Sequence, residues 1–412
     1  MNLGIITLIA LALAVTLSIT TSLNVGLLSI ALAWFIGVYL GGFPVSEITA
    51  GFPVNLFMTL AGVTLLFTQA HENGTLENVA RQAVRLCRGR VGLVPILYFG
   101  LGGVLASMGP GNIATAGLLA PMAMATAVRM NIPLFLMAIM VGNGANAGSL
   151  SPIAPTGIIV SGVMERIGLG GLELETWLYN FLAHAIVAFG GYLLFGGWRL
   201  LTRSDRVDEP DDDIPPLDRS QVLTLAAIGL LIVAVVAGGV HIGMAAFAAA
   251  VLLGLLGAAN QEDAIRKMPW GTIMLVSGVT VLIHVLELTS GMDLFVDMLT
   301  SITSRTTIIP FLAATVGLIS AYSSTSGVVL PAFLPIVPGL DESLGGGMAE
   351  ALAMTMNVGG HLVDVSPLST IGALCVAGVA TGAASRKLFN QMLAWGLSMT
   401  VVGAIICMVL FG

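Results

Sequence analysis

The chain has 412 residues, of which 57% are hydrophobic and 9% charged, with a formal net charge of -7. A soluble globule of that balance would be apolar over its whole surface, whereas repeated apolar runs of about 18 residues or more indicate membrane-spanning helices. Much of the negative charge sits in Asp205–Asp218, so nothing suggests nucleic acid as a partner, and three cysteines without motif spacing supply no disulfide framework.

In chain order, apolar helices are expected at 3–20, 24–41 and 53–70, then an amphipathic segment bearing Arg81, Arg85 and Arg88 at 75–90. No positive stretch precedes residues 3–20, which are therefore read as a retained helix and not as a signal peptide. Two short apolar arms, 91–107 and 113–128, are split by Ser107–Asn112. A long segment, 133–168, is interrupted between Asn143 and Pro152, and a helix follows at 176–199. An acidic linker, 200–219, leads to helices at 220–237, 241–258 and 269–288. A second pair of arms (306–338), a second interrupted segment (348–380) and a last helix (388–411) complete the chain.

The second half repeats the first. Ala61–Leu66 (AGVTLL) recurs as Ser277–Leu282 (SGVTVL), and Ser151-Pro152 with Gly157 recurs as Ser366-Pro367 with Gly372. Arg90 and Pro95 match Arg305 and Pro310, and Asn24–Gly26 matches His241–Gly243, all at offsets of 215 to 217 residues. Such self-similarity along a whole chain marks duplication. Arms of about 16 residues are short for full spans, so 91–128 and 306–338 are read as re-entrant hairpins. Each half then crosses five times, and an odd number inverts the second half. The fold expected is an all-α integral membrane protein. It has a first inverted repeat (1–199), a cytoplasmic acidic linker (200–219) and a second repeat (220–412). Each repeat has five transmembrane helices plus one re-entrant hairpin, with broken helices at the midplane. Thirteen of the fifteen Lys and Arg residues fall on one face and only Arg166 and Arg305 on the other, which puts both termini outside the cell (inner) membrane.

Backbone that leaves helical geometry at membrane depth survives only beside a protein-lined cavity, and broken helices of inverted repeats are the plan of secondary transporters. Half-helices starting after Ser151-Pro152 and Ser366-Pro367 would aim free N–H groups at such a cavity. Ser149, Ser151, Thr156, Ser366, Ser369 and Thr370 can then bind carboxylate oxygens, helped by the amide of Asn146. Asp364 lies among some thirty almost uncharged residues, and carboxylates at membrane depth usually mark ion or proton pathways. It aligns with neutral Ser149, as His361 aligns with Asn146, so the symmetric site is charged on one side only. Asp364 is expected either to cap the following half-helix or to hold a coupling cation or proton, with His361 and Asn143 nearby. His184 and His284 are read as packed, hydrogen-bonded residues.

Glu47–Pro53 (EITAGFP), Ala80–Pro95 (ARQAVRLCRGRVGLVP) and Val363–Thr370 (VDVSPLST) resemble the malonate/dicarboxylate carriers (MatC-type), in the ion-transporter group that also holds the sodium-coupled dicarboxylate carriers. The resemblance implies a homodimer in membrane lipid, an elevator-type movement, and a small organic anion as cargo with Na+ or H+ as coupling ion. It maps hairpin-tip binding motifs to Gly111-Asn112 and Ser324-Thr325-Ser326, with Ser107 and Ser323 beside them, as cation and anion ligands. A Na+ site is expected near Asp364 and the tips. No cofactor and no enzyme activity are expected. His71-Glu72 opens like a zinc-binding helix, but no second histidine follows at the fourth residue. A sodium/proton antiporter of the same fold is the alternative. A third reading, an intramembrane hydrolase, is disfavoured because the sequence offers no second membrane aspartate, no Ser/His pair in suitable context and no metal-ligand spacing.

Overall fold

The computed structural model describes residues 2–21, 23–84, 90–202, 215–379 and 382–412. Arg85, Arg88, Arg203 and Arg206, with most of the acidic linker, lie outside them. Every regular element among the described residues is helical. The first half holds α1 (Leu3–Thr20), α2 (Val25–Trp34, extended by a π-helical turn to Leu40), α3 (Val45–Ala50), α4 (Val54–Glu72) and α5 (Thr75–Val84). It continues with α6 (Leu93–Ser107), α7 (Gly111–Arg129), α8 (Leu134–Gly148), α9 (Pro155–Arg166), α10 (Glu173–Leu194) and α11 (Gly197–Leu201). The second holds α12 (Arg219–Gly238), α13 (Ile242–Leu255), α14 (Gln261–Lys267), α15 (Trp270–Leu288), α16 (Gly291–Ile302) and α17 (Ile308–Ser320). A π-helical turn, Thr325–Val329, leads into α18 (Leu330–Phe333) and α19 (Val337–Ser343), followed by α20 (Ala349–Leu362), α21 (Thr370–Ala377) and α22 (Ala383–Phe411).

Local chemistry sets many of these boundaries. Asn24 caps α2 by accepting from the amides of Gly26 and Leu27, and Asp218 with Gln221 forms a capping box on α12. Among the described residues six helical units are long and apolar enough to cross a membrane: α4, α7, α10, α15, the α20–α21 unit and α22. α17 and the chain from Thr325 to Ser343 form a pair bent by 118°, the re-entrant form expected at 306–338.

Several expectations need correcting. α8 runs unbroken to Gly148, so Asn143 and Asn146 are helical and the first break is only 149–154. Gly144 weakens a helix by about 1 kcal/mol relative to alanine, yet a Cβ there would stand 2.4 Å from the carbonyl oxygen of Phe99, so close packing on α6 requires it. The half-helices begin at Pro155 and Thr370, three or four residues later than Ser151-Pro152 and Ser366-Pro367 suggested. Pro155, not Pro152, takes the first helical position, where a missing N–H costs nothing. α7 has 19 residues, long enough by itself to span, where a short arm was expected. Neither α3 nor α16 was expected. α16 follows α15 as α5 follows α4.

The two halves interlock. α2 lies along α15 in the same direction: the Asn24 amide donates to the carbonyl of Gly271 (2.8 Å), Gly26 abuts Leu275 and Gly278, and Gly37 faces Val285. α4 lies along α13 likewise, with Thr59 and Gly62 against Gly243 and the Gln69 amide on the Ala250 carbonyl (3.1 Å). α6 and α7 pack on α8, and α17 packs on α20 and α22.

Candidate functional site

In each half the hairpin tip meets the break. Positive φ at Gly109 (133°) and Gly111 (75°) turns the chain from α6 into α7. Asn112, in the first turn of α7, donates from Nδ2 to Oδ1 of Asn146 (2.8 Å), and Ser151 donates its hydroxyl to the Ser107 carbonyl (2.8 Å). In the second half Thr325 donates to Oδ1 of Asp364 (2.8 Å), while Ser324 accepts from the Gly327 amide (3.1 Å). Asp364 therefore does not cap α21. The Ser366 amide goes to the Val363 carbonyl and the Leu368 amide to the Ser366 hydroxyl.

The break wraps back onto the start of each half-helix. A Cβ on Gly157 would lie 1.9 Å from the Ser151 oxygen, and one on Gly372 would lie 2.1 Å from the Ser366 oxygen. Only glycine fits, which explains why both copies carry it six residues after the Ser-Pro serine. Ser369, just before α21, turns its hydroxyl back to the carbonyls of Asp364 and Ser366 and leaves the helix uncapped. The N–H groups of that first turn stay directed at the adjoining space.

That space is a cavity of about 160 Å³ lined by Asn112, Ile113, Tyr322, Ser323, Ser324, Thr325, Ser326, Asp364, Leu368, Ser369, Thr370 and Ile371. Eight of the residues singled out from sequence converge here. Asp364 is the one carboxylate, and no Lys, Arg or His joins it among the described residues. Among the described residues the hydroxyls of Thr370 and Ser326 have no hydrogen-bond partner, so both can meet a ligand. A second cavity of about 260 Å³ shares Asn112, Ile113 and Ser326 with the first and opens past Thr64, Phe67, Thr68, His71 and Glu72 of α4 and past Lys267, which is ion-paired with Glu72.

The other predicted site residues lie behind the wall. Ser149 donates to the Asn146 carbonyl (2.7 Å), and Asn143 accepts at Oδ1 from the His184 ring (2.8 Å). His361 is fully buried, with its Nδ1 on the Asn357 carbonyl (2.9 Å), and Ser107 donates to the Gly103 carbonyl (2.6 Å). Ser151 and Ser366 are likewise buried and internally bonded, and Gly111 positions backbone against Pro155. Thr156 lies on the 260 Å³ cavity. His284 packs on Gly51 and bonds the Glu47 carbonyl, as a structural histidine would. Sequence reasoning missed Asn180, whose amide donates to the carbonyls of Asn146 (2.8 Å) and Ala147 (3.3 Å) and props the end of α8. It also missed the polar stripe Thr64, Thr68 and His71, legible as helical spacing on one face of an apolar helix.

A hairpin tip and a helix break enclosing hydroxyls, one amide and one acid suit a small polar solute within a membrane fold. Residues 1–149 match the family model of the dicarboxylate carrier protein MatC N-terminus. No curated protein matches the chain in sequence. In overall fold the chain is similar to the YdaH transporter of Alcanivorax borkumensis, whose crystal structure is described as revealing an unusual topology. The likeness has a TM-score of 0.60 at 15% identity and covers 90% of this chain and 88% of that one. A match to a dicarboxylate-carrier family model over residues 1–149, on an all-helical fold similar to that of a transporter, supports a membrane transporter.

Proposed function

We propose that this protein is a secondary active carrier of small organic anions, dicarboxylates of malonate or succinate size foremost, driven by Na+ or H+. The observation that carries this reading is the 160 Å³ cavity, where donors from tip and break surround one acid and no base. An anion there is held by the N-terminus of α21, the hydroxyls of Thr370 and Ser326 and the Asn112 amide, a set that needs no lysine or arginine. Asp364 repels a carboxylate by several kcal/mol at low effective dielectric. A cation between the two, or a proton on Asp364, removes the penalty, so cargo and cation bind cooperatively.

Two inverted repeats, 1–199 and 220–412, joined by the cytoplasmic linker 200–219, account for the interlocking. Within an up-and-down repeat, successive spans run in opposite directions. α2 lying parallel to α15, and α4 parallel to α13, supports a second repeat flipped relative to the first. The tip-and-break units would travel as an elevator along the scaffold of α2, α4, α13 and α15 in a homodimer of the inner membrane, both termini outside. Uptake of labelled malonate or succinate into proteoliposomes under an imposed Na+ or pH gradient tests the proposal. Accumulation of neither acid with either gradient would reject it. Asp364 as the one carboxylate of the cavity also suits sodium/proton exchange, which the same vesicles report as cation movement without any organic substrate.

A further inference from the structure

A third cavity, of about 350 Å³, lies at the opposite end of α4 from His71 and Glu72. Asn55, Leu56 and Thr59 of α4 line it, with Pro152 of the first break and His241 before α13. Its far wall is α9, through Ile158, Ser161, Gly162, Glu165 and Arg166, whereas Pro155, Thr156 and Ile159 of the same helix face the 260 Å³ cavity. One half-helix thus separates two cavities at the two ends of a 19-residue helix, about 28 Å long at 1.5 Å per residue.

This third cavity is lined by one guanidinium, Arg166, and one carboxylate, Glu165. Arg166 has no hydrogen bond and no ion pair among the described residues. Glu165 shares the cavity wall, and Glu287 acts on Arg166 only through space. His241 caps α13 by accepting the Met244 amide at Nδ1 (3.5 Å), so its Nε2 carries the proton donated to Oδ1 of Asn55 (2.7 Å). That bond fixes the Asn55 side chain, and among the described residues its amide N–H groups and the Ser161 hydroxyl have no partner. Among the described residues a guanidinium, an amide and a hydroxyl therefore stand free around one concave space, beside the equally unpaired carboxylate of Glu165. A cation set in a concave, low-dielectric wall raises the local concentration of anions.

We propose that this cavity is the second mouth of the transport route and that Arg166 draws the anionic cargo into it, a step that rests on the carrier reading above. The plainer role for Arg166, in the last turn of α9, is to balance the helix dipole. The test uses the full-length protein in proteoliposomes, with Cys87, Cys375 and Cys407 changed to serine and a Ser161→Cys probe. The probe is titrated with two impermeant thiol reagents, one bearing a sulfonate and one an ammonium group. With Arg166 present the sulfonate reagent should be favoured by roughly fivefold at low ionic strength. Arg166→Gln should abolish that preference and Arg166→Lys keep most of it, while a Thr68→Cys probe in the 260 Å³ cavity should react only from the other side of the membrane. A preference unchanged in Arg166→Gln leaves only the dipole role, and labelling of both probes from one side refutes the second mouth. Neither readout requires transport, so both remain valid if the cargo is not a dicarboxylate. For succinate uptake, Arg166→Gln should raise KM about fivefold with kcat kept. An unchanged KM beside a lost reagent preference would remove the cavity from the route.

Discussion

The Thr325 hydroxyl reaches across from the second hairpin tip to hold Oδ1 of Asp364 at 2.8 Å. The one acid of the cavity is thus tied to the second hairpin tip. Asp364→Asn keeps the shape and removes the charge. It should abolish cation-driven accumulation of labelled dicarboxylate in proteoliposomes and flatten the Na+ or pH dependence of binding. Thr325→Val removes a hydrogen bond to a charged group, in the range of about 1.5 to 3 kcal/mol, and should weaken apparent cation affinity about tenfold or more. Wild-type cation dependence in Asp364→Asn would leave Asp364 a wall residue only.

The cavity hydroxyls divide into free and engaged. Thr370→Val and Ser326→Ala should each lower substrate affinity by about tenfold or more, since each removes a donor to a charged ligand. Ser151→Ala should instead cost about 1 kcal/mol of stability, because its hydroxyl already serves the Ser107 carbonyl. Its substrate affinity should stay within about threefold of wild type. Isothermal titration and thermal melting in detergent separate the two classes. A large affinity loss in Ser151→Ala with none in Thr370→Val would place the anion on the first break.

The interlocked helices make a stability prediction. A Cβ on Gly278 would lie 2.1 Å from the Gly26 carbonyl oxygen, and one on Gly62 would lie 2.2 Å from that of Gly243. Gly278→Ala and Gly62→Ala should each destabilise by about 1 to 3 kcal/mol through overpacking. Gly190 and Gly229 have open space where a Cβ would go, so alanine there should leave the melting temperature almost unchanged. Equal melting temperatures in all four variants would contradict the close helix approach.

Orientation can be read with single cysteines. A cysteine in place of exposed Gln261, on the short helix α14, should be protected from an impermeant thiol reagent in intact cells. One in place of Glu173, at the start of α10, should be labelled. The reverse pattern would invert the assignment of mouths to sides without altering their separation.

What the sequence by itself determined is what is local or repeated. The apolar lengths, the amphipathic stretch at 75–90, and the paired interruptions with their Ser-Pro and glycine signals follow from hydropathy and backbone preference over a few residues. An offset near 215 residues also paired tip with tip and break with break, and isolated Asp364 as the unmatched acid. The tertiary structure decided how each polar group is used, because that depends on contacts between residues far apart in the chain. Helix α8 passes through Gly144 and Asn146 because α6 presses on it and Asn112 and Asn180 take up the polar groups near its end. Ser151 and Ser366 read as ligands by type, yet one bonds the neighbouring tip and the other its own turn, so Thr370, Ser326 and Asn112 are left facing the cavity. The separation of two cavities by α9 is of the same kind: Thr156 and Ser161 sit five residues apart on one helix, and only its packing against α4 sends them to different cavities.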